Sequence, residues 1–89
     1  MSDTFIRKKN ILFFIHLYDA ESIVSAAKDA NLTKQHATRL VRRWREDGLV
    51  VRSPTLHGAR YKYTEKGATY FDLLQDIYSR LMGEGEWDD

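Results

Sequence analysis

Long cationic and amide side chains recur on one side of a helical stretch in the middle of the chain. Between residues 33 and 47, Gln35, Thr38, Arg39 and Arg42 follow the spacing that brings side chains onto one face of an α-helix. Arginine and glutamine can each form two hydrogen bonds with the edge of a purine, whereas lysine and threonine mostly bind phosphates. This combination predicts recognition of nucleic acid.

The charge of the chain is divided unevenly, although the formal total is only +1. Residues 34–66 contain nine Lys or Arg and three Asp or Glu, so this part carries +6. The rest of the chain holds five basic and ten acidic residues and carries −5. A basic middle between acidic flanks is typical of a surface that binds a polyanion, although a solvated, arginine-rich helix face would have the same charge.

Other kinds of chemistry find little support in the residue types. The absence of cysteine excludes disulfides, thiolate catalysis and cysteine-ligated metals. His16, His36 and His57 are too scattered for a metal site, and no serine elbow, paired-carboxylate motif or phosphate-binding glycine loop occurs. We therefore expect no enzymatic activity, no cofactor and no metal. The longest apolar run, residues 11–15, is too short to cross a membrane, and we recognise no signal peptide, so we expect a cytoplasmic protein.

Apolar periodicity and helix-capping residues divide the chain into four helices and one hairpin. At 89 residues the chain is long enough for one domain, spanning 1–89, with a mainly α fold and a small β-hairpin wing (α+β). The order is helix-helix-helix-strand-strand-helix. The expected elements are a first helix (5–19), two helices joined by a turn (22–47), a hairpin wing (49–64), a C-terminal helix (65–82) and an acidic tail (83–89).

The two central helices carry clear signals at their ends. Ser22 and Thr33 are good N-caps, Asn31 suits the left-handed position that ends a helix, and Gly48 ends the next one. A short turn between two such helices has the form of a helix-turn-helix. The periodicity also favours core positions for the aromatic residues Trp44, Tyr61 and Tyr63, and a structural ion pair for Arg45.

Two stretches of the chain resemble a known family of regulators. Residues 32–44, Leu-Thr-Lys-Gln-His-Ala-Thr-Arg-Leu-Val-Arg-Arg-Trp, with Glu-Asp-Gly-Leu-Val at 46–50, look like the recognition helix and first wing strand of winged helix-turn-helix regulators. They are most similar to the MarR and PadR type. Residues 60–67, Arg-Tyr-Lys-Tyr-Thr-Glu-Lys-Gly, resemble the second wing strand and the start of the following helix. The resemblance covers about residues 22–70.

The resemblance implies a sequence-specific, double-stranded DNA-binding transcriptional regulator that acts as a homodimeric repressor. Its third helix would enter the major groove, and its wing would lie on the backbone or in the minor groove. The residues expected to contact DNA come from these two elements: Thr33, Lys34, Gln35, His36, Thr38, Arg39, Arg42, Arg43, His57, Arg60 and Lys62.

The first and last helices carry more apolar surface than one small core needs, which favours a contact between two subunits. The residues expected at this dimer interface are Phe13, Leu17, Tyr70, Leu74, Ile77, Tyr78 and Leu81. The alternative is that the two helices pack against each other within one chain.

Three other functions remain compatible with the same residues. The chain could be a winged-helix module for protein–protein interaction, although an apolar or acidic third-helix face would then be expected. It could be a plasmid or viral DNA-binding factor for replication or packaging, which the sequence does not distinguish from a repressor. The weakest alternative is an RNA-binding protein.

Overall fold

The computed structural model describes residues 3–18, 20, 22–56 and 58–84 of the chain. Helices and one antiparallel strand pair follow each other in the order that the sequence predicts, so the mainly helical fold with a small hairpin is confirmed. None of the helices in the described residues combines the length and apolar character of a membrane span. The elements are a 3-10 helix (Asp3–Ile6), α1 (Lys8–Leu17), α2 (Ile23–Asp29), α3 (Lys34–Glu46), β1 (Val50–Thr55), β2 (Gly58–Tyr63) and α4 (Glu65–Glu84).

The first helix is shorter than the expected 5–19, because the chain bends before it starts. Arg7 has an extended backbone (φ −95°, ψ 137°) and separates the 3-10 helix from α1. The ring of Phe5 stacks on Trp44 at a centroid distance of 5.4 Å, and Trp44 Nε1 donates a hydrogen bond to Thr4 Oγ1 at 2.7 Å. These contacts with α3 hold the N-terminal turn away from the axis of α1, which periodicity within one helix could not predict.

Helices α2 and α3 start at the caps that the sequence predicts. Ser22 Oγ accepts a hydrogen bond from the backbone of Ser25, and Thr33 Oγ1 accepts one from the backbone of His36. Asn31 adopts a left-handed backbone with φ 59°. Ser22 thus marks the start of α2, whereas Asn31 and Thr33 form the turn from α2 into α3.

The hairpin has a longer ladder than expected. Its register runs from Val50 opposite Tyr63 to Thr55 opposite Gly58, so only residues 56 and 57 connect the strands. We expected residues 54–59 to form a loop because they include Pro54 and glycine. Both strands of a two-stranded sheet are edge strands, where a proline can sit without removing a hydrogen bond from an inner ladder.

The start of α4 lies close to the chain that leaves α3. Thr64 Oγ1 caps α4 by accepting from the backbone of Gly67 at 3.0 Å. A Cβ atom at Gly67 would lie 1.8 Å from the carbonyl oxygen of Leu49, so only glycine fits here. The helix extends to Glu84, two residues beyond the expected end at 82 and into the expected tail; residues 85–89 lie outside the described residues.

The core is built around α1 and Trp44 of α3. Phe13 and Trp44 are 0% exposed, and Leu17 and Leu74 are each 1% exposed. The expectation that Phe13, Leu17 and Leu74 lie at a dimer interface is therefore corrected, because they have no surface left for a second chain. Helix α1 packs against α2 on one side and against α4 on another, so both of its apolar sides are buried within one subunit.

Candidate nucleic-acid interface

Helix α3 separates a buried side from an exposed polar side. Ala37, Leu40, Val41 and Trp44 lie in the core, as their spacing predicts. The eight residues of this region that were expected to contact DNA all lie exposed on the surface, and they are Thr33, Lys34, Gln35, His36, Thr38, Arg39, Arg42 and Arg43.

Five of these residues line one shallow depression on α3: Lys34, Gln35, Thr38, Arg39 and Arg42. They combine three cationic side chains, one amide and one hydroxyl, with no carboxylate among them. The depression begins at the N-terminal end of α3, which is the end of a recognition helix that contacts base edges. The arrangement can therefore offer donors both to bases and to phosphates.

The two threonines differ in what their hydroxyl groups have left to offer. Thr38 Oγ1 donates to the backbone oxygen of Lys34 at 2.8 Å, so its proton is already used within the helix. Its remaining chemistry is to accept a hydrogen bond or to contact a thymine methyl group. Thr33 Oγ1 accepts from the backbone of His36, so its own proton remains available for a phosphate oxygen.

His36 and Arg43 occupy the flank of α3 that is turned toward α1 and α4. His36 Nε2 lies 3.2 Å from the side-chain oxygen of the buried Asn10. Arg43 Nε lies 3.3 Å from Asp47 Oδ2, with 55% of the arginine side chain exposed. An ion pair this exposed contributes about 0–1 kcal/mol, so Arg43 can exchange Asp47 for another anion at little cost.

Arg43, and not Arg45, makes the ion pair of this helix. Arg45 is exposed, and no ion pair of Arg45 exists among the described residues, so that expectation is not met. Arg45 instead lines a second depression with Arg52 of β1. The sequence motifs assign neither residue to a binding surface, although both belong to the basic segment 34–66, and that segment is the signal that points to them.

The two basic residues expected on the wing share one face of the hairpin. Arg60 pairs with Ser53 and Lys62 pairs with Val51, and side chains of directly paired residues point to the same side of a sheet. Both are exposed. His57, expected to contact DNA from the tip, lies outside the described residues. Leu56 beside it is 91% exposed.

The aromatic residues pack as expected. Tyr61 and Tyr63 are half-buried against the core, and Tyr63 stacks on Phe14 at 4.8 Å while its hydroxyl donates to the Phe14 carbonyl oxygen. Tyr61, Tyr63 and Trp44 are therefore parts of the core and not a stacking platform for bases.

The remaining residues expected at a dimer interface lie along α4. Tyr70, Ile77 and Tyr78 are half-buried, and the neighbouring Leu73 is 47% exposed. The side chain of Leu81 lies outside the described residues. The part of the chain that the structure describes also contains no group of three or more His, Asp or Glu arranged to hold a metal ion.

The same fold occurs in solved structures of a bacterial regulator. The whole chain superposes on 68% of a mutant of MepR from Staphylococcus aureus, with a TM-score of 0.65 and 14% sequence identity. Over 91% of its length it superposes on 64% of MepR itself, a transcription regulator of the S. aureus multidrug efflux pump MepA, with a TM-score of 0.62 and 15% identity. The chain has the winged helix-turn-helix fold.

The match confirms the winged helix-turn-helix resemblance that the sequence motifs predict. The chain spans about two thirds of the length of the two MepR chains. No protein-family model and no curated protein matches it. In the terms of this fold, α3 occupies the position of the recognition helix, and β1 and β2 form the wing.

Proposed function

We propose that this winged helix-turn-helix protein is a sequence-specific, double-stranded DNA-binding transcriptional regulator. Helix α3 enters the major groove, and the wing contacts the backbone or the minor groove. The protein acts in the cytoplasm as a homodimeric repressor that occludes a promoter. Its work is binding and not catalysis.

One observation carries the proposal: the depression on α3 that is lined by Lys34, Gln35, Thr38, Arg39 and Arg42. It places donors for base edges and for phosphates on one exposed surface, at the end of the helix that reaches deepest into a groove. An interaction module that binds other proteins would more commonly present apolar or acidic residues here. The likeness of the fold to MepR agrees with this reading.

The homodimer is supported by the apolar surface that remains on α4 after the core is formed. Leu73 is exposed, and Tyr70 and Ile77 are half-buried on the same helix. In a two-fold dimer the two recognition helices would bind half-sites about one helical turn apart, so the operator would be a pseudo-palindrome.

The first test is fluorescence anisotropy of the purified protein on a random-sequence DNA duplex across a salt series. We expect micromolar binding that weakens steeply as salt rises, because bound cations replace counterions on the phosphates. Selection from a random duplex pool then yields the operator. The protein should bind it at least about 1,000-fold more tightly than the random-sequence duplex, which is the ratio typical of specific complexes. Competition with an RNA duplex of the same sequence separates a DNA-binding protein from an RNA-binding one.

No binding to any duplex at low salt would overturn the proposal. Pull-downs that survive nuclease treatment would then identify a protein-interaction module. Tight binding to DNA without preference for any selected sequence would favour a replication or packaging factor over a regulator.

A further inference from the structure

A second depression lies between the C-terminal half of α3 and the first strand of the wing. We name it the arginine cleft. Three guanidinium groups and one carboxylate surround two valines, so its net charge is +2. Its lining residues are Arg42, Arg45, Glu46, Val50, Val51 and Arg52.

The three arginines of the cleft are available for a ligand. Arg42, Arg45 and Arg52 are all exposed, and none of them forms an ion pair within the described part of the chain. Arg43, on the opposite flank of α3, differs from them because it forms an ion pair with Asp47. The cleft therefore keeps positive charge that the protein itself does not neutralise.

The walls of the cleft are held in a fixed relation by the backbone. The amide of Leu49 donates to the carbonyl oxygen of Trp44 at 2.8 Å, and the amide of Gly48 donates to that of Arg45 at 3.1 Å. Val50 is 2% exposed and anchors the start of β1 in the core. Since these short-range contacts join α3 to β1 directly, the two elements that carry the arginines have a fixed relation before any ligand arrives.

Arg52 projects from the side of the hairpin opposite to the other wing cations. In a strand, residues two apart share a face, so Arg52 lies on the same face as Val50. Their pairing partners on β2, Tyr61 and Tyr63, lie on that face too. Arg60 and Lys62 lie on the other face. The wing therefore carries cations on both faces, and among its described cations only Arg52 lines the cleft with α3.

On the basis of the proposed function, we infer that the arginine cleft binds phosphodiester groups of the DNA backbone, with Arg45 and Arg52 as contacts. A guanidinium group matches a phosphate with two parallel hydrogen bonds. Arg42 lines both this cleft and the depression at the start of α3, so a DNA strand can pass from one to the other without leaving the basic surface. The C-terminal position of the cleft on α3 suits the backbone and not the base edges.

The test compares Arg45→Gln and Arg52→Gln with the matched control Arg80→Gln, which removes the same charge from α4, where Arg80 pairs with Asp76. Fluorescence anisotropy on one duplex across a salt series gives the slope of log affinity against log salt. Each cleft variant should reduce this slope by about 0.9, the value for one phosphate contact. Arg80→Gln should leave the slope unchanged.

Two further variants and a stability measurement separate the effect of losing a charge from an effect on folding. Arg45→Lys and Arg52→Lys keep the cation and should retain the wild-type slope, because counterion release depends on charge. Thermal unfolding should be the same for all five variants, since the substituted side chains are exposed. The ratio of affinities for a selected operator and a scrambled duplex should also stay at its wild-type value in the cleft variants, because phosphates carry no sequence information.

If the wild type binds duplex DNA but the cleft variants have the same salt slope as Arg80→Gln, this inference is overturned. The proposed function then still stands. A tenfold change in the operator ratio would assign the cleft to base contacts instead of phosphates. Inorganic phosphate binding that is lost in Arg52→Gln, together with an unchanged salt slope for the duplex in that variant, would assign the cleft to a free anion and overturn the inference. A wild type that binds no duplex overturns the proposed function itself.

Discussion

His36 Nε2 on α3 lies 3.2 Å from the side-chain oxygen of Asn10 on α1. The side-chain nitrogen of Asn10 donates in turn to the backbone oxygen of Thr4 at 2.7 Å, and Thr4 Oγ1 accepts from Trp44. These bonds join the N-terminal turn, α1 and α3 into one network. The position of α3 relative to the rest of the protein therefore depends on a polar side chain in the core.

Replacing Asn10 with alanine should lower the free energy of unfolding by about 1–3 kcal/mol, because a part-buried carbonyl oxygen loses its donor. Thermal unfolding followed by circular dichroism should show the midpoint fall by roughly 4–8 °C for each kcal/mol lost. The control is Gln75→Ala, an exposed substitution on α4 that breaks none of these bonds and should change stability by less than about 0.5 kcal/mol. Equal losses in the two variants would contradict this account.

Arg39→Ala should weaken operator binding by about 1–3 kcal/mol and relax the choice of base at one position, since Arg39 lies in the depression at the N-terminal half of α3. The measurement is anisotropy on the selected operator and on single-base variants of it. Wild-type affinity in Arg39→Ala would show that the recognition surface lies elsewhere.

Arg60→Ala and Lys62→Ala should behave differently from Arg39→Ala. Their exposed side chains lie on the wing, which we propose contacts the DNA backbone, so each loss should weaken binding to all sequences alike and make the salt dependence shallower by about one unit of slope. Titrations of operator and scrambled duplex at three salt concentrations measure both effects. A loss confined to the operator would instead make these residues readers of sequence.

Gly67→Ala should destabilise the fold by about 1–3 kcal/mol, the usual cost of overpacking, because the new Cβ would meet the backbone of Leu49 at 1.8 Å. Urea unfolding measures the loss. Ala68→Ser on the next residue, which is exposed, is the control and should change stability by less than about 0.5 kcal/mol. Similar unfolding midpoints for the two variants would mean that α4 can move away from Leu49 without cost.

Leu73→Glu should convert the proposed dimer into a monomer. The side chain is 47% exposed in one chain, so the charge is tolerated in the monomer but would be desolvated in an interface on α4. Sedimentation equilibrium of the wild type and the variant gives the mass directly. Leu56→Glu at the wing tip, where 91% of the residue is exposed, is the control and should keep the wild-type mass. A wild type that sediments as a monomer would exclude the dimer at that concentration.

Local chemistry in the sequence determined the elements and most of the exposed surface. Capping by Ser22 and Thr33 depends on groups within three residues, and the four-residue core face of α3 follows from helical spacing. The left-handed Asn31 is equally local. For the same reason the basic face of α3 could be identified before its neighbours were known.

Tertiary packing alone decided which apolar faces are buried within the chain and which cations line the same depression. Phe13 and Leu17 have the spacing of an outer face, but α1 is enclosed by two other helices. Helix α1 therefore leaves less apolar surface for a second subunit than its periodicity indicates. Arg45 and Arg52 are seven residues apart on different elements, and no single period relates them. They meet because the chain turns at Gly48, at φ 76°, and sets β1 beside α3.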